Sequence, residues 1–284
     1  MLLPTSYKAF AFEEKHGKLQ PVEVEWKDPQ PNEVVIKVLA CGICGGDEVV
    51  EQQSLPTGLP RIPGHEIIGD IVAISPTERQ FKIGERVSAG WHGGHCFTCN
   101  DCRAGDFMVC SQRKINGIFC DGGFAEYATI RSEAIVRVPK GMNPAEAAPL
   151  LCAGVTTFNS LRHMTLKHGD IVAVQGIGGL GHLGIQFANK MGYHVVALSS
   201  SAPKKDIALE LGASDYLDGS QSDQAAELQK LGGAKVIMCC APDAKHMTSL
   251  LYGLANGGTL LVLGAPLEEF SVPALLIINK HLNI

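Results

Sequence analysis

Four cysteines within fifteen residues constrain the fold of this chain more than any other feature. Their spacing is Cys96-x2-Cys99-x2-Cys102-x7-Cys110. Cysteines separated by two residues can reach one ion from a tight turn, and zinc prefers a tetrahedron of thiolates at about 2.3 Å. Four thiolates leave no open coordination position, so the spacing predicts a structural zinc site. An iron–sulfur cluster and unliganded buried thiols are the alternatives.

Length and composition exclude several classes of protein. The chain has 284 residues, of which 45% are apolar and 19% charged, with a net charge of −5. Domains usually hold about 100–200 residues, so two domains are expected. The charge gives no reason to expect binding to nucleic acid or to an anionic membrane. No apolar run approaches the about 20 residues that cross a bilayer.

The N-terminus and the number of cysteines indicate a cell compartment. Residues 1–17 lack the long apolar core and the small-residue cleavage site of a signal peptide, so a cytoplasmic location is predicted. The chain has ten cysteines. In a chain of this length without a signal peptide, metal binding or catalysis is a more common use of cysteine than disulfide formation.

The two halves of the chain have different patterns. Short alternating runs at residues 33–44, 66–74 and 85–90 predict strands in the first half. In the second half, buried strands alternate with helices, which implies a parallel sheet with helices on both faces. The predicted strands of that half are 170–175, 194–199, 235–240 and 259–264, and its predicted helices include Leu180–Met191 and Pro203–Leu211. We therefore predict a β-rich domain over residues 1–153 and a doubly wound α/β domain over residues 154–284.

A second group of candidate metal ligands is spread along the chain. Cys44 lies in CGICGGD, His65 in GHEIIG and Cys152 in LLCAGVTTF. Two thiolates and one imidazole would leave a fourth position for water or substrate, which is how catalytic zinc is held. The three residues therefore predict a catalytic zinc site, in addition to the structural one.

A glycine-rich turn between a strand and a helix predicts a dinucleotide site. The segment GIGGLG follows the strand at 170–175 and opens the next helix. In this context the glycines allow a tight turn, approach to a pyrophosphate and close helix packing.

The next strand ends in SSSAPKK without an acidic residue, and hydroxyls with a lysine suit a 2′-phosphate. NADP is thus predicted in preference to NAD, and a solvated turn is the alternative. The predicted cofactor residues are Gly176, Gly178, Gly179, Leu180, Gly181, Ser199, Ser200 and Lys204.

The motifs together resemble a known family. CGIC-xx-D, GHExxG, GHCFTCNDCRAGDFMVC, DGGFAEY, PLLCAGVTTF and GIGGLGHLGIQFA occur in the order seen in zinc-containing medium-chain alcohol dehydrogenases. The match is greatest with the cinnamyl-alcohol-dehydrogenase-like and microbial branch. It implies a GroES-like catalytic domain followed by a Rossmann domain, and hydride transfer between NADP(H) and an alcohol/aldehyde pair. The thiolate at Cys152 favours this branch over polyol dehydrogenases, which often have a carboxylate there, and over zinc-free quinone reductases.

The resemblance also implies roles for individual residues. Cys44, His65 and Cys152 correspond to the catalytic zinc ligands, and Asp47 to the carboxylate that orients the ligand histidine. Glu66 corresponds to an acidic neighbour that can approach the metal when water exchanges. Two zinc ions per chain follow. Trp91 corresponds to an aromatic wall of the substrate pocket, with a packed core tryptophan as an equal alternative. The interpretation of His92 stays open, and packing roles are expected for Cys41, Cys120, Cys239 and Cys240.

The sequence departs from the family pattern at two places. Gly45 and Gly46 follow Cys44, where relatives have a bulky or basic residue and then a serine or threonine that relays the alcohol proton. Water, with His92, is the hypothesis for a replacement. Relatives also continue beyond the position of Ile284, so a truncated chain is expected. Residues Leu275–Ile278 lie where relatives pair strands across a dimer, and exposed apolar surface is expected there.

Besides an uncharacterised oxidoreductase of the same fold with another substrate class, two functions are compatible with these patterns. The first is an NADP-linked alcohol dehydrogenase or aldehyde reductase that acts on a small molecule and forms a homodimer or homotetramer. The alternative is a truncated, catalytically impaired paralogue that binds zinc and nucleotide without turnover. The physiological substrate cannot be predicted, because pocket residues are scattered along the chain.

Overall fold

The computed structural model describes residues 3–284 of the chain. They form two compact units, the first ending at Cys152 and the second beginning at Ala153. Each unit has its own sheets and buried apolar clusters. Within the described residues, every helix is too short or too polar to cross a bilayer.

The first unit consists mainly of β-strands. In chain order these are β1 (Ser6–Ala11), β2 (Gln20–Glu25), β3 (Glu33–Cys41), β4 (Ile67–Ile74), β5 (Arg86–Ala89), β6 (His92–Gly94), β7 (Lys114–Ile115), β8 (Tyr127–Arg131) and β9 (Ile135–Arg137). An antiparallel sheet has the order β8-β3-β4-β5-β9. β1 pairs with β2, and β6 pairs with β7.

Alternating apolar side chains make one face of the five-stranded sheet a core. Val34 and Ile36 of β3 are buried in one cluster with Ile67 and Ile71 of β4. Because successive strand residues point to opposite faces, residues two or four apart lie on the same side. The strands predicted at 33–44, 66–74 and 85–90 are each present, and the β-rich fold of this half is confirmed.

Short helical segments connect these strands. The α-helices are α1 (Glu48–Gln52), α2 (Asn100–Arg103) and α3 (Pro144–Ala147). Single 3-10 turns occupy Gly45–Asp47, Phe107–Val109, Ser132–Ala134 and Ala148–Leu151. Two of these turns adjoin candidate metal ligands, since Cys44 precedes the first and Cys152 follows the last.

The second unit alternates helices and strands. In chain order it contains α4 (Ala153–Arg162), β10 (Ile171–Gln175), α5 (Gly179–Lys190), β11 (His194–Ser199), α6 (Lys205–Glu210), β12 (Asp215–Asp218), α7 (Gln224–Lys230), β13 (Ala234–Cys239), α8 (Ala244–Leu250), β14 (Leu254–Val262) and α9 (Ala274–Lys280). All strand pairs are parallel, and the order across the sheet is β12-β11-β10-β13-β14.

Both faces of this parallel sheet are apolar. Val172 and Val174 of β10 are buried in one cluster with Ile185 of α5, whereas Ala173 is buried in the other with Leu228 of α7. A strand buried on both sides has a continuous apolar sequence, as in IVAVQ. Helices therefore cover both faces, and the doubly wound fold predicted for this half is confirmed.

Two details of the second half differ from expectation. The helix predicted at Pro203–Leu211 is divided into a 3-10 turn, Ala202–Lys204, and the α-helix Lys205–Glu210. Leu275–Ile278 lies in α9 and not in a strand, so the strand implied by the resemblance is wrong for this structure.

The apolar pattern of α9 explains why a helix forms there. Pro273 precedes the helix, a position that suits its fixed φ. Leu276 and Ile277 pack against a buried cluster. Leu275 and Ile278 lie three residues apart on the same helix face and are 75% and 65% exposed, so the expected exposed apolar surface is present.

Candidate active site and zinc sites

Four side chains in the first unit converge on one point. Sulfur atoms of Cys44 and Cys152, a ring nitrogen of His65 and a carboxylate oxygen of Glu66 all lie within 4.8 Å of one another. The two sulfur atoms are 3.7 Å apart. Residues from three separate segments of the fold thus form one group of potential metal ligands.

Local structure holds each of these ligands in place. Cys44 caps the 3-10 turn Gly45–Asp47, and its sulfur accepts from the backbone N–H of Gly46 at 3.4 Å. His65 immediately precedes Glu66 and the start of β4, and is fully buried. Cys152 is the C-cap of the turn Ala148–Leu151. Each ligand thus lies at the end of a turn or just before a strand, which places its side chain in the cluster.

Asp47 connects these segments through its carboxylate. Oδ2 accepts from the backbone N–H of Cys44 at 3.0 Å, and Oδ1 accepts from that of Gly64 at 3.0 Å. Oδ1 also lies 3.1 Å from Nδ1 of His65. A carboxylate at Nδ1 orients the ring so that Nε2 is the nitrogen available to a metal. This geometry suits the orienting role that the family resemblance implies for Asp47.

The buried imidazole of His65 lacks a partner that a metal would supply. Its Nε2 is buried and has no hydrogen-bond partner among residues 3–284. Leaving a buried polar atom unpaired costs about 1–3 kcal/mol. A cation within reach of Nε2 and both sulfurs would satisfy it, so these residues fit a zinc ion with three protein ligands and one further position.

Contacts among the clustered side chains shift their pKa values. The hydrogen bond with Cys152 lowers the pKa of Cys44 to about 4, and burial opposes this only in part. The same contact, with burial, raises the pKa of Cys152. Burial alone would lower the pKa of His65, but Asp47 and Cys44 outweigh it and raise the pKa to about 9. A divalent cation bound here requires both thiols to be deprotonated and His65 to be neutral, so its binding would release their protons.

Glu66 reaches the site because residue 42 is a glycine. Glu66 is 2% exposed. A Cβ atom at Gly42 would lie 1.8 Å from Oε2 of Glu66, so any other residue would displace the carboxylate. The carboxylate can therefore approach the same ion as the two thiolates. The role of Gly42 has no counterpart in the sequence prediction, because a glycine in CGICGGD reads simply as part of a turn.

Trp91 forms an aromatic contact with the ligand histidine. The two rings are edge to face, with centroids 4.9 Å apart. Asn116 fixes the backbone on both sides of Trp91, since its amide donates to the carbonyls of Gly90 at 2.8 Å and His92 at 3.1 Å. The N–H of Asn116 also donates to the carbonyl of Trp91. Sequence analysis missed Asn116, because Asn-Gly is a common turn signal.

The remaining histidine and cysteines singled out in the sequence have simpler surroundings. Nε2 of His92 lies 3.0 Å from Nδ1 of His95, and the stated relay role of His92 stays a hypothesis. Cys41 packs against the core of the first unit, and burial raises its pKa to about 12. The same is true of Cys239 in the second unit. Cys120 donates to the carbonyl of Ile115, and Cys240 packs against a buried cluster.

The four clustered cysteines form a second potential metal site. All four sulfur atoms lie within 4.8 Å of one another. The separations are 3.9 Å for Cys96 and Cys102, and 3.8 Å for Cys99 and Cys110. Four sulfurs at about 2.3 Å around a tetrahedral ion would be about 3.8 Å apart. These residues therefore fit zinc, and the separations are far too long for disulfide bonds.

Backbone N–H groups favour thiolates in this cluster. Cys99 donates to the sulfur of Cys96 at 3.3 Å, and Cys102 donates to that of Cys99 at 3.5 Å. Hydrogen bonds from Thr98 and the backbone lower the pKa of Cys96 to about 5. Each Cys-x-x-Cys turn thus presents a charged sulfur and its own hydrogen-bond donors, which is the chemistry that a structural zinc ion requires.

In the second unit, the glycine turn has the geometry of a phosphate site. Gly176 has a φ of +84°. Beyond their sequence neighbours, no described heavy atom lies within 4 Å of a Cβ built on Gly178 or Gly179, whereas a Cβ on Gly181 would lie 1.8 Å from the carbonyl oxygen of Gly176. The turn is open at the start of α5, where a pyrophosphate can approach backbone N–H groups. Leu180 lies in the first turn of that helix.

The residues predicted to bind the adenosine ribose of the dinucleotide lie beside this turn. Ser199 ends β11, and Ser200 follows it. Lys204 donates from Nζ to the carbonyl of Ile177 at 2.7 Å. This bond holds a cationic group over the glycine turn and leaves two of the three ammonium protons for a phosphate. Sequence analysis selected Lys204 for its charge but could not foresee the contact with Ile177.

Comparison with known proteins agrees with these observations. Residues 30–140 match the family described as "Alcohol dehydrogenase GroES-like domain", and residues 179–284 match "Zinc-binding dehydrogenase". The chain is 49% identical over 261 residues to alcohol dehydrogenase patD of Aspergillus clavatus, covering 92% of this chain and 67% of that protein. It is 34% identical over 269 residues to an alcohol dehydrogenase of Geobacillus stearothermophilus, covering 94% and 79%.

A solved structure is similar over most of this chain. A cinnamyl alcohol dehydrogenase from Sorghum bicolor is 31% identical, with a TM-score of 0.89 over 98% of this chain and 82% of its own. The two matched domain families, the named relatives and the fold thus indicate the same family. The protein is an alcohol dehydrogenase enzyme, and it belongs to the zinc-containing medium-chain alcohol dehydrogenase family.

Proposed function

We propose that this chain is a zinc-dependent, NADP-linked alcohol dehydrogenase or aldehyde reductase with two zinc ions per chain. Cys44, His65 and Cys152 hold the catalytic ion, with Glu66 as a further carboxylate ligand. A second ion is held by the four cysteines of residues 96–110. The observation that carries the proposal is the buried Nε2 of His65, which is unpaired among the described residues and lies in a cluster with two sulfurs and a carboxylate.

The two bound groups supply the chemistry, and the protein supplies their positions. Zinc provides a Lewis acid that stabilises negative charge on the oxygen of an alcohol or aldehyde, and the nicotinamide donates or accepts the hydride. Asp47 orients His65 through Nδ1 and links the segments that contribute Cys44 and Gly64. The wall formed by Trp91 limits the space beside the ligand histidine.

The direct test is steady-state oxidation of NADPH with a panel of aliphatic and aromatic aldehydes. We expect substrate-dependent rates well above background for some members of the panel. Which aldehydes react would also identify the substrate class, since the wall at Trp91 should discriminate between them. A cytoplasmic location and a homodimeric or homotetrameric assembly stay predictions.

Substitution of Gly46 tests the missing hydroxyl. A Cβ at this position would lie 3.1 Å from Cε1 of His65 and 3.1 Å from Cζ3 of Trp91. At these distances His65 or Trp91 must shift by a few tenths of an ångström. Because a small displacement of a ligand histidine costs rate, we expect Gly46→Ala to reduce kcat/KM by about tenfold. Gly46→Ser should reduce kcat/KM by a smaller factor, because its hydroxyl also offers a route for the proton of the alcohol. Gly45→Ala is the control, since no described atom beyond its sequence neighbours lies within 4 Å of a Cβ there.

Turnover and pH profiles of the three variants distinguish the explanations. If Gly46→Ser matches wild type in both rate and pH dependence, a hydroxyl at this position does not limit the reaction. If Gly46→Ala also matches wild type, the contacts with His65 and Trp91 impose no constraint.

Three observations support NADP as the cofactor. The end of β11 has no acidic residue to repel a 2′-phosphate. Ser199 and Ser200 offer hydroxyls, and Lys204 is held beside the glycine turn by Ile177. A similar structure, a CAD from Helicobacter pylori complexed with NADP(H), is 25% identical with a TM-score of 0.87, covering 99% of this chain and 83% of its own.

Replacing Lys204 tests this assignment. We expect Lys204→Met to raise the Kd for NADPH by about tenfold, because one charged contact to a phosphate is worth about 1–2 kcal/mol. The Kd for NADH should change by less than about twofold. Lys205→Met, one residue further along at the exposed start of α6, is the control. Equal losses of NADPH and NADH affinity would mean that Lys204 does not contact the 2′-phosphate.

A further inference from the structure

Three hydrogen-bonded polar side chains, two of them buried and one half-buried, lie at the carboxyl ends of the strands in the second unit. Gln175 ends β10, Gln224 begins α7, and His246 lies in the first turn of α8. The two glutamines are 3% and 4% exposed. Buried polar side chains are almost always hydrogen-bonded, and both glutamines have partners.

Hydrogen bonds link the three side chains to four strands or their ends. Nε2 of Gln224 donates to the carbonyls of Ser199 at 2.8 Å and Leu217 at 2.7 Å, which belong to β11 and β12. Nε2 of His246 lies 2.6 Å from Oε1 of Gln224. Nδ1 of His246 lies 3.5 Å from Nε2 of Gln175. Oε1 of Gln175 accepts from the N–H of Ala241, just beyond β13, at 3.1 Å.

Only one arrangement of protons satisfies all the hydrogen bonds among Gln175, His246 and Gln224. The N–H of Ala241 can only donate, so Gln175 presents Oε1 to it and its amide N–H to Nδ1 of His246. His246 is then neutral with its proton on Nε2, which donates to Gln224. Burial lowers the pKa of His246, with Asp243 acting in the opposite sense, which agrees with the neutral form. The amide group of Gln224 must therefore point its two N–H bonds at the two strand carbonyls.

The end of this chain of hydrogen bonds coincides with the cofactor residues. The carbonyl of Ser199 accepts from Gln224 and from the N–H of Gly219 at 2.8 Å. Ser199 and Ser200 are the hydroxyl residues nearest the end of β11. Fixing the carbonyl of Ser199 restrains the peptide plane that joins it to Ser200, and so restrains the backbone from which both side chains project.

We propose that Gln175, His246 and Gln224 are positioning residues that hold Ser199 and Ser200 in the orientation that binds the 2′-phosphate of NADP. The inference rests on the proposed function, since it requires NADP at the end of β11. None of the three side chains needs to touch the cofactor. Their contribution is to pre-order the hydroxyls, which otherwise would be ordered at the expense of binding energy.

Fluorescence titrations with NADPH and NADH test this role. Gln224→Met keeps the size of the side chain but removes both donors to the strand carbonyls. His246→Phe keeps a ring and removes both of its hydrogen bonds. We expect each variant to raise the Kd for NADPH by about tenfold and the Kd for NADH by less than about twofold. His163→Phe, an exposed histidine in the same unit, should leave both constants unchanged.

A conservative variant separates positioning from general stability. His246→Gln retains one donor and one acceptor, so it should recover part of the NADPH affinity that His246→Phe loses. Wild type that binds NADH as tightly as NADPH would overturn the NADP assignment, and this role with it. If wild type binds NADPH more tightly than NADH, and Gln224→Met and His246→Phe both have the wild-type Kd for NADPH, the positioning role alone is overturned. Equal loss of both cofactors in the folded variants would also contradict it.

Discussion

Replacing Cys152 with alanine is expected to remove one zinc ion per chain and to reduce turnover by about a thousandfold. The sulfur of Cys152 lies 3.7 Å from that of Cys44, in the cluster that also includes His65 and Glu66. Loss of one of three protein ligands weakens the site greatly. A Lewis acid contributes several kcal/mol to stabilising charge in the transition state, and about 4 kcal/mol corresponds to three powers of ten in rate.

Metal analysis and kinetics on the same preparation check this expectation. Cys41→Ala is the matched control, because Cys41 lies at the end of β3 near the site but outside the ligand cluster. It should keep both zinc ions and most of the activity. A Cys152→Ala protein that retains two zinc ions and wild-type turnover would show that this cysteine is not a ligand.

Replacing Cys102 with serine is expected to remove the other zinc ion and to destabilise the first unit. The sulfur of Cys102 is buried and lies 3.9 Å from that of Cys96. The surrounding segment has little else to hold it, since α2 has four residues and the next turn three. Loss of a structural metal is among the changes that cost more than about 4 kcal/mol. A fall in Tm of about 10 °C follows for a chain of this size.

Thermal unfolding and zinc content measured together test this result. Cys120→Ser is the control, since Cys120 lies outside both clusters and its hydroxyl replacement can still donate to the carbonyl of Ile115. It should retain two zinc ions and a Tm close to wild type. Unchanged Tm in a Cys102→Ser protein that has lost one zinc ion would contradict a structural role for the four cysteines.

Much of the fold follows from local patterns that the structure retains. The strand at 194–199 has the predicted bounds, and the predicted strand at 170–175 begins one residue later, at Ile171. Such runs are apolar on both faces and can be buried only between layers of helices, which leaves few alternatives. The short cysteine spacings are equally restrictive, because the turns between them bring the sulfurs together whatever the rest of the chain does.

Features that depend on distant packing could not be predicted. Leu275–Ile278 could form a strand or a helix by its apolar composition alone. It becomes helical because Leu276 and Ile277 bury against the second unit's core. The contacts of Asn116 with the segment around Trp91 join residues more than twenty positions apart. Nothing in the local sequence distinguishes this asparagine from an ordinary turn residue.

In the candidate site, too, some features could be predicted from the sequence and others depend on distant packing. Residue types and motif order indicated Cys44, His65 and Cys152, but not why Glu66 can reach them. The space for its carboxylate exists because Gly42 has no side chain. Likewise, the charge of Lys204 is visible in the sequence, whereas its bond to the carbonyl of Ile177 depends on how the turn after β10 faces the segment after β11.

The most direct test of the central claim is the zinc dependence of NADPH oxidation with the aldehyde panel. We predict about two zinc ions per chain and a substrate-dependent rate. Chelation that removes the catalytic ion should abolish the rate, and added zinc should restore it. A rate at background in protein with both zinc ions bound would contradict the account and favour a chain that binds zinc and nucleotide without turnover. A rate that persists after the zinc is removed would contradict the role of Cys44, His65 and Cys152.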